Sequence, residues 1–484
     1  MSDFSFCAQR RARFAALLGP HAVAVIPTAP ERARNRDSDF PYRHDSYFFY
    51  LTGFAEPGAT LVMRTDAQSR PQTTLFCQPK DLEREIWDGY RLGPEAAPEM
   101  LGVDAACSSD RIDAELPGLL DGAEVVAYPF ATHTGLETRV AGWLDSLRAI
   151  AIIAVILVHV SSPVVNMAYG RNMSHWWIGN IFDSAVRFAV PLFLMISGAM
   201  LLSATYDIKT FYKKRFIRVL IPFLFWMVIY WIFRYLTLPG SQPHGFHDII
   251  SWAVNIFMKE GISKHFWFVY MIIFVYLITP FIGMFVRKLK PEMLVFLLAA
   301  WVLIVSISKD FAIDMYGWRG NLLYKFFMYF LYSGYMVLGY YLYNIFYVSK
   351  NIRITAFILY IITIVVAAVM TYYSSKLKGK LDLTIYNYMS LNTMIQAIAV
   401  FIALKGTSVT KKNPAKLQHT VSDYSYGIYL VHIVIIGILY KNGIFWTMAN
   451  PIISVPVVVI ITLMVSWAII FLLRKIPYGK YISG

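Results

Sequence analysis

The chain has 484 residues and a mass of 55.4 kDa; 57% of it is hydrophobic, only 15% is charged, and the mean hydropathy is +0.51. A water-soluble globule carries roughly a quarter of its residues as charges, so composition excludes a purely soluble enzyme and places most of the chain in lipid. The net charge of +14 is unevenly divided: residues 1–148 hold 14 Arg, 1 Lys and 21 acids, and residues 149–484 hold 9 Arg, 20 Lys and 9 acids. An acidic soluble part therefore precedes a basic membrane part, and the pI of 9.4 points to charge at a lipid surface rather than to nucleic acid.

The chain opens on a polar stretch, Met1 to Arg13, with Arg10, Arg11 and Arg13 and no apolar core behind them. That is not the pattern of a signal peptide, so the first part is expected in the cytosol. Cys7, Cys77 and Cys107 all lie there; free thiols suit a reducing compartment, and the membrane part has neither a thiol nucleophile nor a disulfide. Helices are expected at Cys7–Leu18 and Ala114–Leu120. Strands are expected at His21–Ile26, Ala59–Met63 and Thr73–Phe76, where short apolar or alternating runs are bounded by Pro- and Gly-containing turns. The pattern predicts a small soluble α/β domain over residues 1–142.

Two runs in this domain, RDSDFPYRHDSYFFYLTGFAEPGATLVM from Arg36 to Met63 and EIWDGYRLGPEAAPEMLGVDAA from Glu85 to Ala106, resemble the amino-terminal domain of bacterial Xaa-Pro aminopeptidase (aminopeptidase P). That family keeps its two-metal catalytic site in a separate carboxy-terminal domain. Residues after about 140 read as membrane, so the resemblance implies an aminopeptidase P-like domain without the catalytic domain and not an active aminopeptidase. His44 and Asp45 read as surface or core polar residues rather than metal ligands. The switch from Arg to Lys usage marks a fusion of unlike segments, with docking or oligomerisation as the role open to the first.

From residue 143 the chain is read as one membrane domain to residue 484. Ten apolar stretches, near 149–168, 183–205, 216–238, 265–286, 292–308, 321–346, 354–375, 384–404, 422–440 and 451–473, approach the roughly 20 helical residues needed to cross a hydrocarbon core about 30 Å thick. The expected fold is thus an all-α integral membrane bundle of about ten transmembrane helices preceded by the small soluble α/β domain. The stretches at 354–375 and 451–473 carry no charge; the fifth is short, and the second contains Asp183 and Arg187. Lys and Arg in the flanking segments favour both termini in the cytoplasm, against a countervailing cluster at Lys376, Lys378 and Lys380 in an outer loop.

An ionisable side chain inside a membrane span marks a candidate site. His159 and His432 stand out among the ten histidines. Arg148 lies eleven positions before His159, which on a helix returns to within roughly 20° of the same face and climbs roughly 16 Å. Arg148 would sit at the cytoplasmic lip, with His159 about half-way down one stripe. Arg215 and Arg218, one turn apart beside Lys213 and Lys214, fit either a topology signal or the phosphates of an anionic cofactor, because guanidinium pairs well with phosphate oxygens.

Five segments in order carry a second resemblance, to the acyltransferase-3 membrane family. They are Asp145-Ser-Leu-Arg148 with the Arg-x10-His spacing to His159, VPLFLMISG from Val190 to Gly198, the pair Arg215 and Arg218, HFWFVYMIIFVYLITP from His265 to Pro280, and SYGIYLVH from Ser425 to His432. The stretch SAVRFAVPLFLMISG is similar to the branch containing the enterobacterial common antigen O-acetyltransferase. The resemblance implies a ten-helix O-acetyltransferase of the bacterial inner (plasma) membrane. Such an enzyme moves acetyl from cytoplasmic acetyl-CoA to a hydroxyl of a cell-surface polysaccharide or lipid-linked glycan precursor, with no metal expected. Many larger relatives carry a periplasmic esterase-like domain; this chain is read as departing from them, so transfer to the acceptor is expected within the membrane domain or with a partner.

On that reading His159 is the catalytic imidazole, acting as base toward the acceptor hydroxyl or as transient acetyl carrier. Arg148 would orient or bind the donor, and Arg215 and Arg218 would grip its phosphates. His432, Tyr429 and Ser425, spaced three and four apart on one helical face, are acceptor-side candidates, with packing as the alternative. Ser197 and Gly198 read as a close helix contact, and Trp267 and Tyr270 as an interfacial belt or sugar-stacking pair. The rival class is a polytopic transporter or flippase, because polar midplane residues also line translocation pathways. Expected partners are membrane lipid and the glycan acceptor, with oligomerisation open.

Overall fold

The computed structural model describes residues 5–31, 41–123, 125–128, 142–204, 206–237, 250–251, 263–314, 322–405 and 420–484. The chain divides into two compact units, essentially residues 1–143 and the rest of the chain from 144.

In the first unit a five-stranded sheet is ordered β4-β3-β2-β1-β5, with β1 Ala22–Pro27, β2 Thr60–Thr65, β3 Pro71–Cys77, β4 Ala105–Ser108 and β5 Val125–Ala127. β1, β2 and β3 pair antiparallel, with Val25 opposite Val62 and Leu61 opposite Leu75, while β4 and β5 add in parallel at the edges. Alternate residues point to opposite faces. Ala24, Ile26, Leu61, Met63, Leu75 and Cys77 join Ala15 of α1 (Ser5–Leu18) and Phe48 and Leu51 of α2 (Ser46–Thr52) on one side. Val23, Val25, Val62 and Phe76 pack on Ile112 and Leu116 of α5 (Ile112–Leu120) on the other. The short helices α3 (Leu82–Asp88) and α4 (Ala97–Leu101) complete the unit. Asp45 caps α2 by accepting from the amides of Tyr47 and Phe48, both at 2.9 Å, so its carboxylate satisfies the orphaned donors of a helix start. The predicted α/β domain is present; β4 and β5, four and three residues long, carry too little alternation to be read from sequence.

Among the described residues the second unit is built from helices: α6 Gly142–Ala168, α7 Met173–Ala185, α8 Ala189–Leu201, α9 Ile208–Leu236, α10 Trp267–Val286, α11 Pro291–Asp314, α12 Leu322–Asn344, α13 Lys350–Leu377, α14 Leu391–Leu404, α15 Ser425–Lys441, α16 Pro451–Lys475 and α17 Gly479–Ser483. Among the described residues, eight helical segments are long and apolar enough to cross a membrane. The two other expected spans correspond to α11, whose apolar part is the shorter Pro291–Ser306, and to the 23-residue α12.

The second span, predicted as one stretch, is broken between α7 and α8. The amide of Phe188 turns away from the helix ladder to Gln396 Oε1 of α14 at 3.0 Å, and Gln396 Nε2 donates to the carbonyl of Ser184 at 2.8 Å. One buried side-chain amide thus replaces the missing helical pairings, as irregular backbone at membrane depth requires. Beyond the break, α8 packs backbone to backbone on α12: a Cβ on Gly198 would lie 2.0 Å from the Met336 carbonyl oxygen, and one on Gly339 would lie 2.0 Å from that of Met195. The close helix contact read at Gly198 is therefore reciprocal.

Candidate functional site

The site is assembled from residues that would each be costly alone in lipid. The uncharged run from Ala149 to Val158 makes α6 a membrane helix and carries His159 into its middle. His432 is fully buried on α15. His265 is 4% exposed on the single 3-10 turn Lys264–Phe266 that leads into α10. The three rings converge: His159 to His432 is 5.2 Å between centroids, His265 to His432 5.4 Å, and His159 to His265 6.4 Å.

Local hydrogen bonds fix two of these rings. His432 Nδ1 lies 2.6 Å from the carbonyl oxygen of Tyr429, one turn earlier. A carbonyl only accepts, so Nδ1 carries the hydrogen and neutral His432 presents a bare Nε2. His265 Nδ1 is 2.7 Å from Ser263 Oγ. The Tyr429 hydroxyl donates to the His265 carbonyl, tying α15 to the 3-10 turn. Tyr230 of α9 lies with its ring 5.1 Å from His265 and donates to the Leu430 carbonyl at 3.0 Å. The Nε2 atoms of His265 and His432 are buried and have no partner among the described residues. His159 is half-buried, and its contacts in the site are with the other two rings.

A second polar group lies beside α6. Asp183 of α7 is fully buried; it pairs with Arg187 one turn on and accepts from Ser161 Oγ of α6 at 3.3 Å. The Arg187 guanidinium stacks 4.1 Å over the Tyr386 ring, a cation–π contact, and the Tyr386 hydroxyl is held by Asn180 Oδ1.

A third group occupies the end of the bundle where α6 begins. Arg148 donates to Asp145 at 2.8 Å and rests on the sulfur of Met200, while Asp145 also accepts from Ser422 at 2.7 Å. Arg218 is exposed on α9 and feels the charges of Arg215, Arg148 and Asp423. Neither Arg215 nor Arg218 has a carboxylate at ion-pair distance among the described residues. Three guanidiniums with a single carboxylate at ion-pair distance among the described residues make this end suited to a polyanion.

The predicted residues therefore separate into two places. His159, His432 and Tyr429 come together. Arg148, Arg215 and Arg218 form the basic end, and the eleven-residue interval from Arg148 to His159 spans about 16 Å of helix, so Arg148 stands apart from the imidazoles. Ser425 is also displaced from the cluster: it is the first residue of α15, about 10 Å along the helix from His432. Trp267 stacks on Tyr388 at 5.7 Å and Tyr270 meets Phe223 edge-on at 5.6 Å, so both rings have aromatic partners within the bundle. His265 is the component that sequence reading passed over as a site residue, because it opens a span and reads as a boundary residue.

Among the described residues no group of three or more His, Cys, Asp or Glu side chains is placed to hold a metal ion. Residues 7–128 match the aminopeptidase P, N-terminal domain. There the chain is similar to Xaa-Pro aminopeptidase of Escherichia coli (strain K12), at 40% identity over 140 residues covering 29% of this chain and 32% of that protein. It is also similar to that of Haemophilus influenzae, at 36% over 133 residues covering 28% and 31%. A solved structure of Escherichia coli aminopeptidase P in its low-pH form is 37% identical, with a TM-score of 0.28 and coverage of 29% of this chain and 32% of that one. The chain spans about a third of the length of these relatives. Residues 141–471, which hold all three imidazoles and the basic end, match the acyltransferase domain family. With the peptidase likeness confined to an amino-terminal fragment and this match running through the helical bundle, the chain belongs to the acyltransferase domain family and is a multi-pass membrane acyltransferase.

Proposed function

We propose that the membrane unit is an O-acetyltransferase that takes acetyl from cytoplasmic acetyl-CoA and delivers it to a hydroxyl of a cell-surface polysaccharide or its lipid-linked precursor. The setting is the bacterial inner membrane with both termini in the cytoplasm. The observation that carries the reading is the imidazole cluster set about 16 Å along α6 from a basic end. Arg215 and Arg218, without close carboxylates among the described residues, suit the phosphates of the donor, and Arg148, braced by Asp145, suits its orientation at the mouth of the site. A donor gripped there extends its thioester toward His159, whose imidazole serves as base toward the acceptor hydroxyl or as transient acetyl carrier. In either case the ester C–O bond forms, the thioester C–S bond breaks, and the hydroxyl proton ends on the released thiol. The likeness of SAVRFAVPLFLMISG to the enterobacterial common antigen branch favours a surface glycan as acceptor.

Labelled acetyl-CoA supplied to membranes tests the reading. Transfer of label to glycan, lost in His159→Ala at unchanged protein level, is expected; equal transfer by that variant refutes the role of His159. Arg215→Ala is expected to raise the acetyl-CoA concentration for half-saturation while leaving the acceptor dependence in place, and the reverse pattern refutes phosphate binding at this end.

A further inference from the structure

Within the imidazole cluster, two ring nitrogens have complementary hydrogen-bonding character and no partner among the described residues. His432 Nδ1 is committed to the Tyr429 carbonyl, so its Nε2 offers only a lone pair. His265 Nδ1 faces the Ser263 hydroxyl; when that hydroxyl donates, the hydrogen of neutral His265 lies on Nε2, which becomes a donor. Both Nε2 atoms are buried and unpartnered among the described residues, and the rings stand 5.4 Å apart between centroids. A buried polar atom without a partner costs roughly 1–3 kcal/mol, so two such atoms side by side call for a ligand. One donor and one acceptor at this separation match an alcohol, whose oxygen accepts one hydrogen bond while its hydrogen donates another.

We propose that the Nε2 atoms of His265 and His432 form the binding subsite for the acceptor hydroxyl, with His432 as its base and His159 as the acetyl-carrying nucleophile. The assignment rests on the O-acetyltransferase reading and divides the chemistry that reading left open. The hydroxyl has one hydrogen, and it points to His432; His159, 5.2 Å from His432 between ring centroids, is then free to attack. In the first step a His159 nitrogen bonds to the acetyl carbonyl carbon, the C–S bond breaks, and its electron pair leaves on the coenzyme A sulfur. In the second, the hydroxyl oxygen bonds to that carbon, the N–C bond breaks with its pair returning to His159, and the hydroxyl proton passes to His432 Nε2. That proton neutralises the thiolate, so the sum is thioester plus alcohol giving ester plus thiol. Tyr429 and Ser263 act through their neighbours and are positioning residues.

The test separates the two half-reactions, using the purified full chain in detergent for the first and inverted membrane vesicles retaining their own glycan for the second. With acetyl-CoA alone, the wild type is expected to release a burst of about one thiol per enzyme and to gain about 42 Da on the peptide containing His159, as covalent catalysis requires. His432→Phe and His265→Phe keep the ring volume and remove the nitrogens; both are expected to retain the burst and the added mass. In vesicles His432→Phe should slow glycan acetylation about 100-fold, the usual reach of a general base, and His265→Phe should raise the acceptor requirement about tenfold, as one lost hydrogen bond does. Ser263→Ala should weaken acceptor use and Ser263→Thr restore it. Acetylation of glycan at the wild-type rate by either Phe variant overturns the subsite, and so does loss of the burst in either variant while acetyl-CoA binding is unchanged. A wild type that neither releases thiol nor acetylates glycan instead overturns the O-acetyltransferase reading itself.

Discussion

The buried pair of Asp183 and Arg187 allows a quantitative test of how the bundle tolerates charge. The side chains are 0% and 12% exposed, and beyond Arg187 the Asp183 carboxylate accepts, among the described residues, only from Ser161 Oγ at 3.3 Å. Removing the arginine alone, as Arg187→Met, strands a carboxylate on one long hydrogen bond, whereas Asp183→Asn with Arg187→Met removes both charges and keeps a polar group for Ser161. Breaking one side of a buried pair costs about 3–5 kcal/mol, while replacing both partners is often close to neutral. The single substitution should therefore destabilise by about 3 kcal/mol or more, a factor of roughly 100 or greater in the folding equilibrium at 1.4 kcal/mol per decade, and the double variant should recover most of that. The assay is reversible unfolding of the purified chain in mixed micelles against SDS fraction, followed by tryptophan fluorescence. If the double variant is as unstable as Arg187→Met, the two charges do not compensate one another and the pair is not what holds α7 against α6.

Two other perturbations follow from the packing. Gly198→Val puts a branched side chain where even a Cβ would be 2.0 Å from the Met336 carbonyl; α8 and α12 must separate, and the variant is expected to lose folded protein by size-exclusion chromatography while Ser197→Ala does not. In the loop after α13, burial alone pushes the Asp382 carboxyl up, but hydrogen bonds from Lys378, Ser374 and Thr384 outweigh it and hold the group well below the usual carboxylate range. A depressed folded value means that its stabilisation is present above the unfolded value near 4 and is lost as pH falls further. Pepsin nicking of residues 378–383 should accordingly rise below about pH 4 in the wild type and be high at every acidic pH in Asp382→Asn; identical profiles refute the assignment.

What the sequence made legible was what announces itself locally. Charge-free apolar runs marked the helices, and His159 and His432 were conspicuous because an imidazole in such a run is costly. His265 was hidden by position: at the first turn of a span it looks like any interfacial residue, and only the fold turns it inward onto the other two rings. Asp183 and Arg187 lowered the apparent quality of the second span, yet four residues apart, at the end of α7 and in the break after it, they satisfy each other. The break after Ala185 was invisible because its repair comes from Gln396, more than 200 positions away. The separation of Ser425 from the imidazoles was a matter of axial rise, which shared helical face does not convey.

Distance along the chain also dictates a schedule. The amide of Phe188 finds its acceptor 208 residues downstream, and a ribosome adding roughly 5–20 residues per second reaches that glutamine about 10–40 s after the phenylalanine. Throughout that interval the newly inserted segment carries an open NH and an open carbonyl at membrane depth. Maturation therefore has a late locking event, and damage at Gln396 is expected to surface as newborn chains cleared by quality-control proteases, with the survivors working at the normal rate.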